Sequence, residues 1–255
     1  MLLKKKSKNG FNNNSELSYL TELINDFPCQ KKLSPQKAEK QLISRYLQLE
    51  KKIPVLLKFL DDPSLRTNIS NLYPNFPDTN DIFPKYFYFL MYFSHEFLFS
   101  KILNNSGQFR KSSDPNGGKI GFGGSDYRII AKFKYSGSPC NSIEYDLKDC
   151  FSLLVKNPTN PLSNSVEFYR RFVKIHPYYD GNGRIGRLII SIYNLYHGNY
   201  IKWSEIENEG NKTEFIKRLN ECHKREGQLI YNKYFNYLLS FFHKFILKTS
   251  EIMEQ

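Results

Sequence analysis

The chain has few of the residues that build disulfide frameworks, metal clusters or membrane spans. Only four of its 255 residues are cysteines, and no two of them have the close spacing of a zinc or redox motif. These cysteines are Cys29, Cys140, Cys150 and Cys222. The longest apolar runs, such as Tyr86 to Phe93, are far shorter than the roughly 20 residues that cross a bilayer. We therefore expect reduced thiols and no membrane-spanning helix.

Acidic residues are also scarce: 25 Asp and Glu stand against 37 Lys and Arg, a net charge of +12. Residues 1–60 hold twelve basic and five acidic side chains, a difference of +7. A basic arm of this kind can bind nucleic acid, anionic lipid or an acidic protein, although most such arms are solvated surface. A binding module that uses the arm is therefore the alternative to an enzyme, and an enzyme would not require nucleic acid.

Turn and capping residues divide the chain into three parts. Residues 1–33 read as a basic, flexible segment rich in asparagine and lysine. Ser34 followed by Pro35 predicts a helix start, with the helix running to Glu50, and Ile53-Pro54 predicts a second start. Prolines between positions 74 and 84 mark a soft boundary. We therefore predict a helical extension over 34–83 and a main domain over 84–255.

The most informative segment is His176 to Arg187, with the sequence HPYYDGNGRIGR. His176 can take a proton near neutral pH, as a hydroxyl nucleophile requires. The carboxylate of Asp180 suits Mg²⁺, which takes its remaining ligands from water and substrate phosphates. Gly181, Asn182 and Gly183 can turn successive N–H groups toward an anion. These groups together predict chemistry on a nucleotide.

A helical pattern follows this turn, so the glycine loop opens a helix whose N-terminus favours phosphate. The apolar positions of the pattern are Ile185, Leu188, Ile189, Ile192, Leu195 and Tyr196. Arg184 and Arg187 are three residues apart and share one side of that helix, where they can grip terminal phosphates. A β-hairpin would also explain the glycines, but both flanks have helical rather than alternating spacing.

The segment resembles the signature of Fic domains, His-Pro-Phe-x-Asp/Glu-Gly-Asn-Gly-Arg-x-x-Arg, and differs from it only in Tyr178. Weaker similarity extends over roughly residues 85 to 250. The resemblance implies an all-α, Fic-type helical domain with a small β-hairpin flap and an N-terminal helical extension, about eight helices in all. It also implies an enzyme that moves AMP from ATP onto a Tyr, Thr or Ser hydroxyl of a protein target and releases diphosphate.

The family roles carry over residue by residue. His176 would deprotonate the target, Asp180 would hold Mg²⁺, and the amides of Gly181, Asn182 and Gly183 would bind phosphate oxygens. Arg184 would hold the β-phosphate and Arg187 the γ-phosphate. Doc-like relatives, which phosphorylate, have Ala and Lys at the positions of Gly181 and Gly183. The motif favours adenylylation, while phosphorylation, phosphocholine transfer and removal of AMP stay open.

Two segments compete for the flap that would lay the target alongside the site. One begins at Gly107 to Arg110 and leads through Gly118, Lys119, Ile120 and Gly121. The other runs from Tyr127 to Lys134 and includes Ile129 and Ile130. The sequence does not choose between them.

The last six residues resemble an inhibitory motif of the family, Ser/Thr-x-x-x-Glu-Gly/Asn. Ser250 and Glu254 occupy its two key positions, although Gln255 stands where the family has Gly or Asn. The resemblance implies that Glu254 pairs with Arg187 and takes the space of the γ-phosphate. An acidic tail without such a role is the alternative.

The identity of the protein target is left open by the sequence, as are self-modification and a homo-oligomer. We expect a cytoplasmic bacterial protein, or one delivered into a host cell as an effector.

Overall fold

The computed structural model describes residues 33–73, 76, 81–122 and 135–250. The basic segment 1–32 lies outside this part of the chain. Ten α-helices and four short strands are found in it. The helices are α1 Pro35–Glu50, α2 Ile53–Phe59, α3 Pro63–Leu72, α4 Ile82–Phe99, α5 Ile143–Ser152, α6 Pro161–Ile175, α7 Asn182–Tyr196, α8 Trp203–Ile206, α9 Glu209–Arg225 and α10 Tyr231–His243. The strands are β1 Gly121–Phe122, β2 Tyr135–Ser136, β3 Asn199–Ile201 and β4 Ile246–Lys248.

The all-α architecture predicted from the sequence is confirmed, with two more helices than the expected eight. Helix α2, with seven residues, begins at the start that Ile53-Pro54 predicts, whereas α8 has only four residues. A helix as short as α8 has too few turns to show a periodic pattern, so spacing alone does not reveal it.

Helix α1 begins as the sequence predicts. The side-chain oxygen of Ser34 accepts a hydrogen bond from the Lys37 N–H at 3.4 Å, and Pro35 occupies the first helical position. Helices α1 and α3 both pack against α4, while α2 contacts α7. The N-terminal helices therefore cover the domain core rather than extend away from it.

The core centres on α4, α6 and α7. Helix α4 is aromatic on most sides, and Tyr86, Phe87, Met91 and Phe99 are almost fully buried. A helix that is apolar around its circumference belongs inside a domain. Helices α6 and α7 pack side by side, and the loop between them carries the predicted motif. None of the described helices is long and apolar enough to cross a membrane.

The predicted buried face of α7 is correct at four of its six positions. Ile185, Leu188, Ile189 and Ile192 are buried, but Tyr196 is 38% exposed. Tyr193 is buried in its place and donates a hydrogen bond to the Leu154 carbonyl at 2.5 Å. The helix ends at Tyr196, so this residue lies beyond the part of α7 that packs against the core.

The C-terminal part of the described chain packs next to the C-terminal end of α7. Helices α9 and α10 pack against each other, and β4 pairs with β3 in the register Asn199↔Lys248 and Ile201↔Ile246. This second two-stranded sheet was not predicted. It brings residue 250 close to the end of α7, since the Thr249 N–H donates to the Gly198 carbonyl at 3.0 Å. Among the described cysteines, Cys140, Cys150 and Cys222 are unbridged.

Candidate functional site

The site is built on the turn that joins α6 to α7. Helix α6 ends at His176, which adopts the left-handed conformation with φ 53° and ψ 59°. This conformation costs a residue with a Cβ about 1 kcal/mol or more, so neighbouring contacts must hold it. The turn leads the chain into α7 and places His176 in the lining of a cavity.

His176 is held in one tautomer. Its Nδ1 lies 3.1 Å from the Val173 carbonyl, which can only accept, so Nδ1 carries the proton and Nε2 the lone pair. Burial lowers the pKa of His176 to about 4, and the nearby Arg110 guanidinium adds to this effect. The imidazole is therefore neutral at physiological pH, in the protonation state that a general base needs.

Asn182 fixes the shape of the loop through the main chain. Its Oδ1 accepts from the Tyr178 N–H at 3.0 Å, and its Nδ2 donates to the Tyr178 carbonyl at 2.8 Å. Asp180 is 6% exposed, and its Oδ1 accepts from the Gly181 N–H at 2.6 Å. The Gly181 amide, which we expected to face phosphate, is thus engaged inside the turn. The N–H groups of Asn182 and Gly183 open the first turn of α7, where helical geometry supplies no partner.

The two glycines of the loop are under different constraints. Gly181 has φ 82°, and a Cβ added there would lie 2.5 Å from the Phe99 ring. Gly183 has an ordinary φ, and its nearest neighbour would be the Tyr169 hydroxyl at 3.9 Å. A side chain is therefore excluded at position 181 but sterically allowed at position 183.

His95, on α4, supports the loop from below. Its ring stacks on Tyr178 with centroids 3.6 Å apart, its Nδ1 accepts from the Gly107 N–H at 2.8 Å, and its Nε2 donates to the Asp180 carbonyl at 3.2 Å. Burial lowers the pKa of His95 to about 3. This residue was not predicted to belong to the site. The only signal in the sequence was a histidine on an otherwise apolar helix face.

A cavity of 280 Å³ brings the predicted groups together. Its lining includes His176, Asp180, the turn 181–183 and both predicted arginines, Arg184 and Arg187. Arg184 Nη1 lies 3.7 Å from Asp180 Oδ1. The lining also includes the apolar side chains of Ile206, Phe215, Ile216 and Leu219, together with Trp203. A cavity with both polar and apolar lining suits a ligand that has both characters.

The part of the chain that carries this turn matches a protein family. Residues 89–193 match the family model described as Fic/DOC family, a range that runs from α4 through α7 and contains the whole motif. The chain carries a Fic domain. No curated protein matches the chain.

Solved structures agree with this assignment at the level of the fold. The N-terminal FIC domain of Bep8, a VirB-translocated effector protein of Bartonella sp. 1-1C, is 14% identical with a TM-score of 0.51, and the match covers 83% of this chain and 88% of that one. The N-terminal Fic domain of a cell filamentation protein of Bartonella quintana, also a VirB-translocated Bep effector, was solved with bound ADP. It is 14% identical with a TM-score of 0.50, and the match covers 89% and 93% of the two chains.

The described part of the Fic domain contains a two-stranded pairing next to one of the two predicted flap segments. Strand β1 pairs antiparallel with β2, with Gly121 opposite Ser136. Lys119 and Ile120 lead directly into β1, and Gly118 belongs to a preceding 3₁₀ turn. Ile129 and Ile130 lie outside the described residues. Gly107 to Arg110 do not open the hairpin as we expected, because Gly107 binds His95 and Arg110 is buried behind the motif turn.

Among the described residues Arg187 of the Fic domain pairs with Glu207, and the predicted pair with Glu254 stays a prediction. Glu254 lies outside the described residues, and Ser250 is exposed at the end of the described chain. In the structure, Arg187 Nη1 lies 2.9 Å from Glu207 Oε1, and the guanidinium carbon lies 5.8 Å from the Trp203 ring centre. Glu207 follows α8 and lines the same cavity. Sequence reasoning missed it because it belongs to no motif.

Proposed function

We propose that this protein transfers AMP from ATP to a Tyr, Thr or Ser hydroxyl of a protein target and releases diphosphate. One observation carries the proposal: His176, Asp180, the glycine turn and both arginines line a single cavity at the N-terminus of α7. A base, an anion-binding helix end and two guanidinium groups are what nucleotidyl transfer to a hydroxyl requires.

The base acts on the acceptor. His176 Nε2 takes the proton of the acceptor hydroxyl as its oxygen bonds to the α-phosphorus, and the bond between that phosphorus and the bridging oxygen to the β-phosphate breaks. A neutral imidazole with its proton on Nδ1 suits this step, and the hydrogen bond to Val173 keeps the ring in that orientation. The electron pair leaves on diphosphate.

The phosphates are held by the N-terminus of α7 and by the two arginines. The first-turn N–H groups of α7, at Asn182 and Gly183, face the α- and β-phosphates, with Arg184 on the β-phosphate and Arg187 on the γ-phosphate. The apolar lining residues, such as Phe215 and Leu219, take the nucleobase. The bound nucleotide then presents its α-phosphorus toward His176.

Asp180 fits the metal that this reaction uses. Its carboxylate lines the cavity and is almost buried. Among the described residues there is no cluster of three or more His, Cys, Asp or Glu. A single carboxylate together with substrate phosphates is a usual set for Mg²⁺, which neutralises phosphate charge when it is bound. Asp180 would hold the ion, as its position beside Arg184 allows.

The glycine at position 181 supports AMP transfer over phosphorylation. Doc-like relatives, which phosphorylate, have alanine at this position, and Phe99 leaves no space for a Cβ there. Gly183, where those relatives have lysine, has space but carries no cation.

The test uses ATP labelled on either phosphorus. The full chain is incubated with Mg²⁺, lysate and ATP carrying the label at the α- or the γ-phosphate, and His176→Ala is run beside it. We expect that the label lost in His176→Ala comes from α-labelled ATP only. Label that depends on His176 and comes from the γ-position only would establish phosphorylation instead.

Nucleotide binding is measured separately. Trp203 is the single tryptophan of the chain and lines the cavity, so its fluorescence reports the ligand. A folded protein that neither changes its fluorescence with ATP nor transfers label from either position would refute the proposed function.

A further inference from the structure

Arg110 is a buried arginine whose side-chain partners in the described part of the chain include no carboxylate. The residue is 3% exposed, and four of its five side-chain hydrogen bonds go to main-chain carbonyl groups. Nε donates to the His176 carbonyl at 2.7 Å, Nη2 to Ser138 at 2.9 Å and to Ile175 at 3.3 Å, and Nη1 to Gly118. A buried guanidinium needs all five of its donors satisfied, and here four backbone oxygens and the sulfur of Cys140, 3.8 Å from Nη1, satisfy them.

Three of the carbonyls that this residue binds are consecutive. The side chain holds those of Ile175 and His176, and the Arg110 N–H donates to the carbonyl of Pro177 at 3.0 Å. These groups end α6, where the helix dipole places partial negative charge. The guanidinium is therefore matched to a helix C-terminus, and it secures the residue whose left-handed conformation is unfavourable by itself.

The same guanidinium also binds both ends of the β1–β2 hairpin. Gly118 precedes β1 and Ser138 follows β2. Gly137 is packed so closely that an added Cβ would lie 3.0 Å from Arg110 Nη2 and 3.1 Å from His176 Cβ. Movement of the hairpin relative to the motif turn would break bonds to this one side chain.

We propose that Arg110 is the positioning residue for His176. It fixes the backbone of the base at the end of α6 and holds the two ends of the hairpin at a constant distance from it. It does not touch the nucleotide cavity, whose lining is formed by other residues. This role rests on the proposed function only in that His176 is taken to be the base.

The first experiment compares two substitutions of Arg110 in the full chain. Arg110→Gln removes the charge and most of the donors, and Arg110→Lys keeps the charge but cannot reach four carbonyls from one planar group. A shift of about 1 Å in a reacting group can cost about 100-fold in rate. We expect kcat to fall about 100-fold in Arg110→Gln and less in Arg110→Lys, with ATP affinity by Trp203 fluorescence unchanged within about twofold.

Arg171→Gln is the matched control. Arg171 is also on α6, five residues before His176, but it binds the carboxylates of Asp149 at 2.7 Å and Glu167 at 3.1 Å. Its loss should leave kcat and the His176 imidazole resonances unchanged, whereas those resonances should shift in both Arg110 variants. Wild-type kcat in a folded Arg110→Gln, or a parallel loss of ATP affinity and rate, would overturn the positioning role.

A measurement on the unaltered protein keeps the test valid if the variants do not fold. The Nε–H proton of Arg110 should exchange with solvent at least about 100-fold more slowly than that of the partly exposed Arg171, because it is bound to a buried carbonyl. Equal exchange rates would overturn the proposal. The resonance and exchange measurements need no transfer activity, so they separate a failure of this proposal from a failure of the proposed function.

Discussion

The C-terminal end of α6 and the rest of the helix are held by different kinds of interaction. At its C-terminal end, the motif turn is fixed by side chains that bind main-chain groups: Arg110, Asn182 and His95. Along its outer face, a charge clamp joins α6 to the α9–α10 pair through side chains alone. The clamp consists of Glu167, Arg170, Lys174, Glu226 and Tyr231.

The difference matches what each region must do. Bonds to the main chain determine the backbone path, which sets the direction of a reacting side chain to a fraction of an ångström. Bonds between side chains hold two helices together but leave each backbone to its own helical geometry. We infer that the clamp governs global stability, while the turn contacts govern the geometry of the site.

Acid should weaken the fold through buried histidines on both sides of this comparison. Burial lowers the pKa of His95, at the turn, and of His223, beside the clamp, to about 3 from an ordinary 6.5. Between pH 6.5 and about 3 the unfolded chain binds these two protons and the folded chain does not. The free energy of unfolding should therefore fall by about 1.4 kcal/mol per histidine for each pH unit below 6.5.

Urea unfolding at pH 7, 6 and 5 measures this slope. His95→Gln and His223→Gln should each remove one histidine's share of this slope, to which His176, with its pKa lowered to about 4, also contributes. A slope that stays the same in both buried variants would show that acid acts elsewhere, for example on the clamp. Burial alone would raise the Glu167 pKa, but its bonds to Arg170 and Tyr231 bring the pKa below its ordinary value, so this carboxylate loses its contribution only at lower pH.

Removal of the clamp arginine should lower the free energy of unfolding but leave kcat per folded molecule unchanged. Arg170 is 1% exposed, binds Glu167 at 2.7 Å and Glu226 at 2.9 Å, and lies over the Tyr231 ring. Arg170→Met leaves two carboxylates beside an apolar chain, and we expect a loss of about 3 kcal/mol. The folded fraction should keep its kcat and its His176 resonances. If kcat per folded molecule fell as in Arg110→Gln, the distinction between the C-terminal end of α6 and the rest of the helix would be wrong.

The two glycines of the turn offer a sharper comparison inside the site. Gly181→Ala combines a positive φ with a Cβ 2.5 Å from Phe99, and should cost about 2 kcal/mol or more. Gly183→Ala meets no close neighbour and should be within about 0.5 kcal/mol of the parent. Thermal unfolding of both variants checks this. Phe99→Leu should recover part of the loss in the Gly181 variant; no recovery would assign the whole loss to backbone strain.

Site residues that lie close together in the sequence could be predicted, whereas those brought together from distant positions could not. The base, carboxylate, glycines and arginines were all predicted because they fall within twelve residues. Helix starts such as Ser34-Pro35 were predicted for the same reason, since capping is local. His95 and Arg110 precede the motif by more than 60 residues, and only packing of α4 under the turn brings them there. Local spacing does not report such contacts, so His95 was missed and Arg110 was assigned to the start of a flap segment.

The smallest expected effect concerns Glu207. Because of this residue, the two motif arginines differ in their carboxylate partners. Arg184 faces Asp180 at 3.7 Å, whereas Arg187 already binds Glu207 at 2.9 Å. A nucleotide whose γ-phosphate binds Arg187 must displace this half-exposed carboxylate, and such pairs are worth up to about 1 kcal/mol. Glu207→Gln should therefore tighten ATP about fivefold and leave ADP and AMP nearly unchanged.

Trp203 fluorescence titrations with ATP, ADP and AMP measure these affinities. The matched control is Glu205→Gln, which removes one charge two residues away, where Glu205 pairs with Lys202 at 3.0 Å. If the affinity for all three nucleotides rose equally, or if the control changed equally, the effect would come from net charge and not from the pair with Arg187. Weaker ATP binding would instead mean that Glu207 orients Arg187 for the phosphate, and that the pair persists in the complex.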